Sequence, residues 1–299
     1  MNRTIGSVLI LLAAIGFGTI GIFGKLGFDA GLNNPTLLTF RFAIATVLLS
    51  LLLLRPGRSL QMTRNEFPVA IGLGVSYAIL AGGFFWGLLY IPAGLAAITL
   101  YTYPIYVFAI SVVLLGEVIN RRKFAALLLA ILGVVAIVGF DTAGYDPRGL
   151  FLVSLAAIAY AIYTTGSRVA VNDISAEWLA LFAVATTTLV FLGFGLVTNA
   201  LFVPTTLEQW AVIIGLAVFG TAAPIVLFVY GLEFVEASRA SVLTTAEPPV
   251  TVILGVLILH EVLTIGIVSG GVLILIGIVL IQLDQRTTRP AVAPRDGDS

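Results

Sequence analysis

The chain has no cysteine and a single histidine, His260, among its 299 residues. That excludes disulfides, thiolate nucleophiles, thiolate metal sites and any cluster of histidines. Charge is also scarce. Lys, Arg, Asp and Glu make up 10% of the residues and cancel to zero net charge, so nothing in the balance asks for a polyanionic partner such as nucleic acid. No glycine opens a Gly-Lys-Ser/Thr phosphate loop. No metal and no cofactor are expected. What is abundant is apolar surface: 60% of the residues are hydrophobic, and the mean hydropathy is +1.12. A soluble domain is about 45–50% apolar and about 25% charged. An excess this large requires lipid as solvent.

The sequence also repeats itself. Trp86 to Gly139 aligns without a gap on Tyr230 to Leu283 at an offset of 144 residues. Pro104 falls on Pro248, Glu117 on Glu261, Gly133 on Gly277, and Gly87-Leu88 on Gly231-Leu232. Upstream, Ala13-Ala14-Ile15 matches Ala156-Ala157-Ile158 at an offset of 143. The first apolar stretch therefore belongs to the repeat. It also exceeds the usual apolar length of a cleaved signal peptide.

About 20 apolar residues cross a bilayer as a helix. Ten spans are expected, at 4–28, 35–55, 66–90, 92–116, 122–140, 148–171, 176–199, 208–232, 237–259 and 262–283. Turn chemistry separates them at Gly31 to Pro35, Arg55-Pro56-Gly57, Asp141 to Pro147 and Asn199 to Pro204. The fold class is thus an all-α integral membrane protein with two five-helix repeats, 4–140 and 148–283. A disordered cytoplasmic tail, 284–299, is expected to follow. With the N-terminus inside, Arg3, Arg55, Arg58, Arg64, Arg121, Arg122, Lys123, Arg168, Arg239 and the tail arginines are cytoplasmic, leaving Lys25 and Arg148 outside. Both termini come out cytoplasmic, in the cell membrane of a prokaryote. Five is an odd number, so the second repeat enters from the opposite side and the repeat is inverted.

Tyr101-Thr102-Tyr103-Pro104-Ile105, twelve residues downstream Glu117, and the matching Glu247-Pro248 and His260-Glu261 resemble the repeat ends of the EamA branch of the drug/metabolite transporter superfamily. Lys25, Pro35 and Arg41 are similar to that family's first helix pair. The resemblance covers residues 4–283. It implies a ten-helix inverted-repeat carrier with a central cavity lined mainly by spans 1, 3, 4, 6, 8 and 9, and substrates ranging over amino acids, sugars, drugs and other metabolites. The chain departs from the family at His260, where a glycine is more usual.

Helical spacing gathers polar groups inside the membrane. Thr99, Thr102, Tyr103 and Tyr106 share one face of span 4, and Tyr160, Tyr163, Thr164 and Ser167 one face of span 6. Thr244, Glu247 and Thr251 do so in span 9, and span 3 offers Tyr77 and Phe84. Hydrocarbon gives such groups no partner, so they face protein or water. The plain reading is helix-to-helix bonding; the functional one is a substrate cavity. Glu247 is the sharpest of them, about ten residues into its span. It must pair, reach water or carry a proton. Bonding to hydroxyls and free backbone near Pro248 competes with binding a substrate amine or a coupling proton.

Pro104, Pro224 and Pro248 are expected to kink spans 4, 8 and 9, because proline frees a carbonyl inside a helix. Arg41, six residues past Pro35, is expected to snorkel outward, with a gating ion pair as the alternative. Glu117 and Glu261 are expected to end their spans and bond loop backbone. Gly18, Gly21, Gly24 and Gly27 mark close packing of span 1, and Gly266 and Gly270 packing of span 10 on span 5.

The function these features suggest is a secondary carrier of small organic metabolites: amino acid-like, amine or amphipathic drug-like. The resemblance adds export by proton exchange. An intramembrane enzyme would need paired acids, a Ser-His pair or a metal site, and none is visible. The alternative is a channel or a non-transporting structural membrane protein, although no repeated filter or charged ring is present.

Overall fold

The computed structural model describes residues 2–53, 66–115, 121–139, 145–171, 174–232, 234–235, 240 and 243–287. The turn expected at Arg55-Pro56-Gly57, Glu117, Arg239 and the tail from 288 onward lie outside them. Every regular element among the described residues is helical. In chain order these are α1 (Asn2–Gly18), α2 (Ile20–Asp29), α3 (Asn34–Leu53), α4 (Glu66–Gly87), α5 (Ala93–Leu100), α6 (Tyr103–Leu115) and α7 (Arg121–Gly139). There follow α8 (Pro147–Ala170), α9 (Ala176–Val197), α10 (Leu207–Ala217), a π turn (Val218–Ala222), α11 (Ala223–Leu232), α12 (Glu247–Leu259) and α13 (Ile265–Thr287). Residues 284–287, expected in the tail, therefore continue the last helix.

Six stretches are long and apolar enough to cross a membrane: Arg3–Asp29, Asn34–Leu51, Glu66–Gly87, Pro147–Ala170, Ala176–Val197 and Leu207–Leu232. Shorter apolar helices accompany them, at Ala93–Val107, Glu247–Leu259 and Ile265–Gly277. Spans 4 and 9 are not continuous rods. α5 ends at Leu100 and α6 begins at Tyr103, while α12 begins only at Glu247, after a turn at Thr245-Ala246.

Local chemistry sets several ends. The Asp146 carboxylate accepts from the Arg148 N–H, with Pro147 in the first turn of α8. Thr206 and Gln209 form a capping box at the start of α10. α12 ends on His260 in the left-handed conformation, φ +54°. This position favours glycine because a Cβ crowds the following carbonyl there.

The halves interlock. α3 packs on α9, α5 on α12, α7 on α13, α4 on α8 and α9, and α1 on α11. Gly87 of α4 lies against Val153 and the Gly149 carbonyl of α8. Its counterpart at the 144 offset, Gly231 of α11, lies against Ile10 and the Gly6 carbonyl of α1. The lack of a side chain at both positions is what lets backbone meet backbone. The Gly133–Gly270 contact holds α7 to α13, so the small residues of span 10 serve packing within the chain. Along α1 and α2, Gly18 meets Val250, Gly21 meets Ala93, Gly24 meets Leu88 and Gly27 meets Leu37.

Hydrogen bonds between the halves lace the turns at one end of the helices. The Asn33 amide donates to the Ala200 carbonyl at 2.6 Å, and the Gln209 amide to the Ala30 carbonyl at 3.0 Å. The Phe202 N–H donates to the Thr36 hydroxyl at 3.2 Å. The Glu261 carboxylate accepts from the backbone N–H groups of Ala93 and Gly94, the first turn of α5. A carboxylate suits that place, because the first N–H groups of a helix lack intrahelical partners and the helix dipole is positive there.

Candidate functional site

A cavity of about 440 Å³ lies between the halves, walled by α1, α2, α3, α4, α5, α6, α8, α9, α11 and α12. Its lining runs from Gly21, Arg41 and Ala97 to Val171 and Ala176, beside the turn that joins α8 to α9. No lining residue comes from the laced turns at the other end.

Nine of the residues expected at a cavity line it: Tyr77, Phe84, Tyr103, Tyr160, Tyr163, Thr164, Thr244, Glu247 and Thr251. α8 is unbroken, so Tyr160, Tyr163 and Thr164 stay on one stripe with Ser167. Thr99 and Tyr106 do not line it. Thr99 is buried in α5, where its carbonyl accepts from the Thr102 hydroxyl at 2.7 Å, and Tyr106 packs against the apolar core. The reason is the break at Tyr101-Thr102. A continuous helix would keep i, i+3, i+4 and i+7 in phase. Two helices joined by a turn do not.

The expected kink positions coincide with these breaks. Pro104 and Pro248 stand in the first turns of α6 and α12, and the interruptions at Tyr101-Thr102 and Thr245-Ala246 lie just before them, where a proline disturbs the ladder behind it. Pro224 is different: it lies inside span 8, and the π turn at Val218–Ala222 sits directly before it. Within that turn the Thr221 hydroxyl donates to the Leu216 carbonyl at 3.0 Å, giving a carbonyl a donor where the regular ladder is disturbed.

The two breaks meet. The Tyr101 hydroxyl donates to the Glu247 carboxylate at 2.8 Å and to the Thr244 carbonyl at 2.7 Å. One phenolic hydrogen thus faces two acceptors. Thr251 anchors the turn that follows, its hydroxyl donating to the Gly18 carbonyl at 2.9 Å. From Glu247 a row of rings leads along the wall, Tyr101 to Tyr103 at 5.8 Å between centroids and Tyr103 to Tyr160 at 4.2 Å.

Arg41 does not snorkel. It is 2% exposed and lines the cavity. Its Nε donates to the Thr221 hydroxyl at 2.9 Å, and its guanidinium lies over the rings of Phe42 (4.6 Å) and Phe85 (5.2 Å). Leu37, Leu38, Ala45 and Leu49, at helical spacings from Arg41, are fully buried with it, but α3 is apolar on nearly every face, so the sequence does not mark which face turns inward. Helical spacing does not single out Tyr101, which lies off the stripe through Tyr103. Its neighbours in the break, not its helical face, give it a role.

The profile of the EamA-like transporter family matches the chain twice, over residues 4–139 and 147–283. An uncharacterized transporter of Archaeoglobus fulgidus is 30% identical over 258 residues, 84% of this chain and 89% of that protein. The pseudopaline exporter CntI of Pseudomonas aeruginosa is 28% identical over 70% of this chain and 73% of its own length. The uncharacterized transporter YetK of Bacillus subtilis is 28% identical over 87% and 82%. A solved crystal structure superposes with a TM-score of 0.65 at 19% identity, covering 95% of this chain and 99% of that one. The fold is shared with it.

Proposed function

The chain belongs to the EamA-like transporter family, a small-molecule transporter that passes the cell membrane several times, and we propose that it is a secondary carrier exporting small organic metabolites by alternating access. In this reading ten spans form two inverted five-helix repeats, 4–140 and 148–283, with both termini in the cytoplasm. The observation that carries it is the cavity itself. It sits between the halves, has the size of a small-molecule site (roughly 300–1,000 Å³), and holds the half-buried carboxylate of Glu247 where the two broken spans touch. A protein that only needed to pack would gain nothing from placing an acid there, since an ionised carboxylate at this depth costs at least a few kcal/mol.

Orientation gives the cavity a direction. The Lys and Arg distribution puts the turn between α8 and α9 in the cytoplasm and the laced turns outside. The cavity reaches toward the former, which makes this the inward-facing state of an exporter, ready to load. Glu247 is the residue for a coupling proton or a substrate amine, and the tyrosine rings of α6 and α8 offer a stacking surface. Export also accords with the name of the Pseudomonas relative.

The test begins with a thermal-shift screen of purified protein against amino acids, amines, nucleosides, sugars and cationic drugs. Hits are then followed as labelled substrates in proteoliposomes with and without a pH gradient. Saturable flux that responds to the gradient is expected. Single-channel currents, or flux that never saturates, would overturn the carrier reading.

A further inference from the structure

We propose that Arg41 is the anion anchor of the cavity, selecting molecules that carry a carboxylate or a similar planar anionic group at one end and present an amine to Glu247 at the other. The inference rests on the cavity being the substrate site, as argued above.

An arginine this deep is costly unless something answers its charge. Among the described residues nothing of opposite charge is bonded to it. Its one side-chain hydrogen bond runs from Nε to the Thr221 hydroxyl, and the faces of Phe42 and Phe85 supply cation–π contact. Glu247, the acid on the same cavity, is engaged by Tyr101 instead. The two charges therefore share one chamber without neutralising each other.

Guanidinium has five N–H donors in a fixed fork. One is spent on Thr221, which is held in turn by its bond to the Leu216 carbonyl in the π turn. The four on the terminal nitrogens have no hydrogen-bond partner among the described residues, and the side chain lines the cavity. A planar two-oxygen anion fits such a fork bidentately. The clamp by Thr221 and the two rings fixes the plane beforehand, which lowers the entropy lost on binding.

The walls support a ligand spanning both ends. From Arg41, Phe42 meets Tyr77 at 6.0 Å and Tyr77 meets Tyr163 at 5.1 Å. From Glu247, the row through Tyr101 and Tyr103 ends on Tyr160. Tyr160 and Tyr163 are neighbours on α8, so the two rows converge on a single apolar floor with a charge at each far end. A simple cation would meet attraction at Glu247 and repulsion at Arg41.

The experiment uses purified full-length protein and a series that varies the charged ends separately. The probes are L-phenylalanine, its amide, which lacks the carboxylate, 3-phenylpropanoate, which lacks the amine, and 6-aminohexanoate with its amide, which set the charges further apart. Dissociation constants are measured by calorimetry for the wild type, Arg41→Gln and Arg41→Lys. At least one zwitterion is expected to bind the wild type tenfold or more tightly than its amide. Arg41→Gln should bring acid and amide within about twofold, the acid losing affinity and the amide gaining some as the repulsion by Arg41 is relieved. Arg41→Lys, which keeps the charge but loses the fork, should fall between, and serves alone if the glutamine variant does not fold. Equal binding of acid and amide by the wild type, discrimination that survives Arg41→Gln, or no binding by any zwitterion would each overturn the anchor. The first two leave the carrier reading intact, since a ligand still binds. That reading is decided by flux in proteoliposomes.

Discussion

The hydroxyl of Tyr101 lies 2.8 Å from the carboxylate of Glu247, joining the break in span 4 to the break in span 9. The bond crosses from one half of the chain to the other, between residues 146 positions apart, and also touches the carbonyl of Thr244. If it holds the breaks together, Tyr101→Phe leaves two acceptors without their donor. The expected loss is about 1–3 kcal/mol, read as a fall in the melting temperature of the purified protein. Glu247→Gln, whose amide oxygen still accepts, should cost less. The double variant should be less destabilised than the sum of the singles. Full additivity would mean that the two side chains do not interact.

Glu247→Gln has a second readout. The variant keeps the shape and the acceptor but cannot take up or release a proton. Substrate flux in proteoliposomes should lose its dependence on pH, while a substrate that needs an amine contact should bind at least tenfold more weakly. An unchanged rate and pH profile would leave Glu247 a purely structural acid.

His260 occupies a left-handed position, φ +54°, at the end of α12. The strain is about 1 kcal/mol for a residue with a Cβ, and glycine avoids it. His260→Gly should therefore stabilise the protein by about 0.5–1 kcal/mol, reduced in part by the greater freedom of glycine in the unfolded chain. The check is the melting temperature, with transport unaffected. A lower melting temperature would show that the imidazole makes a contact worth more than the strain.

The laced end predicts a gating variant. Glu261→Ala strips the Ala93 and Gly94 N–H groups of their acceptor and should weaken closure there. The chain contains no cysteine, so one introduced thiol reports cleanly. In Ala97→Cys, which lies on the cavity wall, labelling by an impermeant maleimide from the outer face should accelerate several-fold when Glu261→Ala is added. An unchanged labelling rate would remove Glu261 from the closure.

Gly133 faces the Gly270 carbonyl and Ile274 across the α7–α13 seam. Gly133→Val overpacks that seam, at an expected cost of about 1–3 kcal/mol. The oligomeric state in detergent should not change, because the contact lies within one chain. Dissociation of an oligomer on substitution would relocate the seam to a subunit boundary.

The sequence made the membrane class, the doubled family match and nine residues of the cavity wall legible, chiefly through composition and helical periodicity. Tyr160, Tyr163 and Thr164 were found together for that reason. Thr99 and Tyr106 leave the cavity because the helical phase resets between Leu100 and Tyr103, which periodicity alone does not carry. The prolines marked the place but not the kind of event, since a residue that bends a helix from within also suits the first turn of a new one. Counting residues from Pro35 puts Arg41 at a shallow depth, but α3 is apolar on nearly every face and only packing shows which face is inside. The partner of Arg41, Thr221, lies 180 residues away and could be found only in three dimensions.

The divided spans also change what movement demands. α5 is bound at its start by Glu261 and lies between α12 and α8, whereas α6 packs chiefly on α8. Between them stand only Tyr101 and Thr102. Swinging one rod past the other needs torsions at this joint and no rupture of a helical ladder. Under the carrier reading, a jointed limb of this kind lets its lower segment turn while Glu261 and α12 hold the upper one, with Tyr101 and Glu247 bonded at the joint.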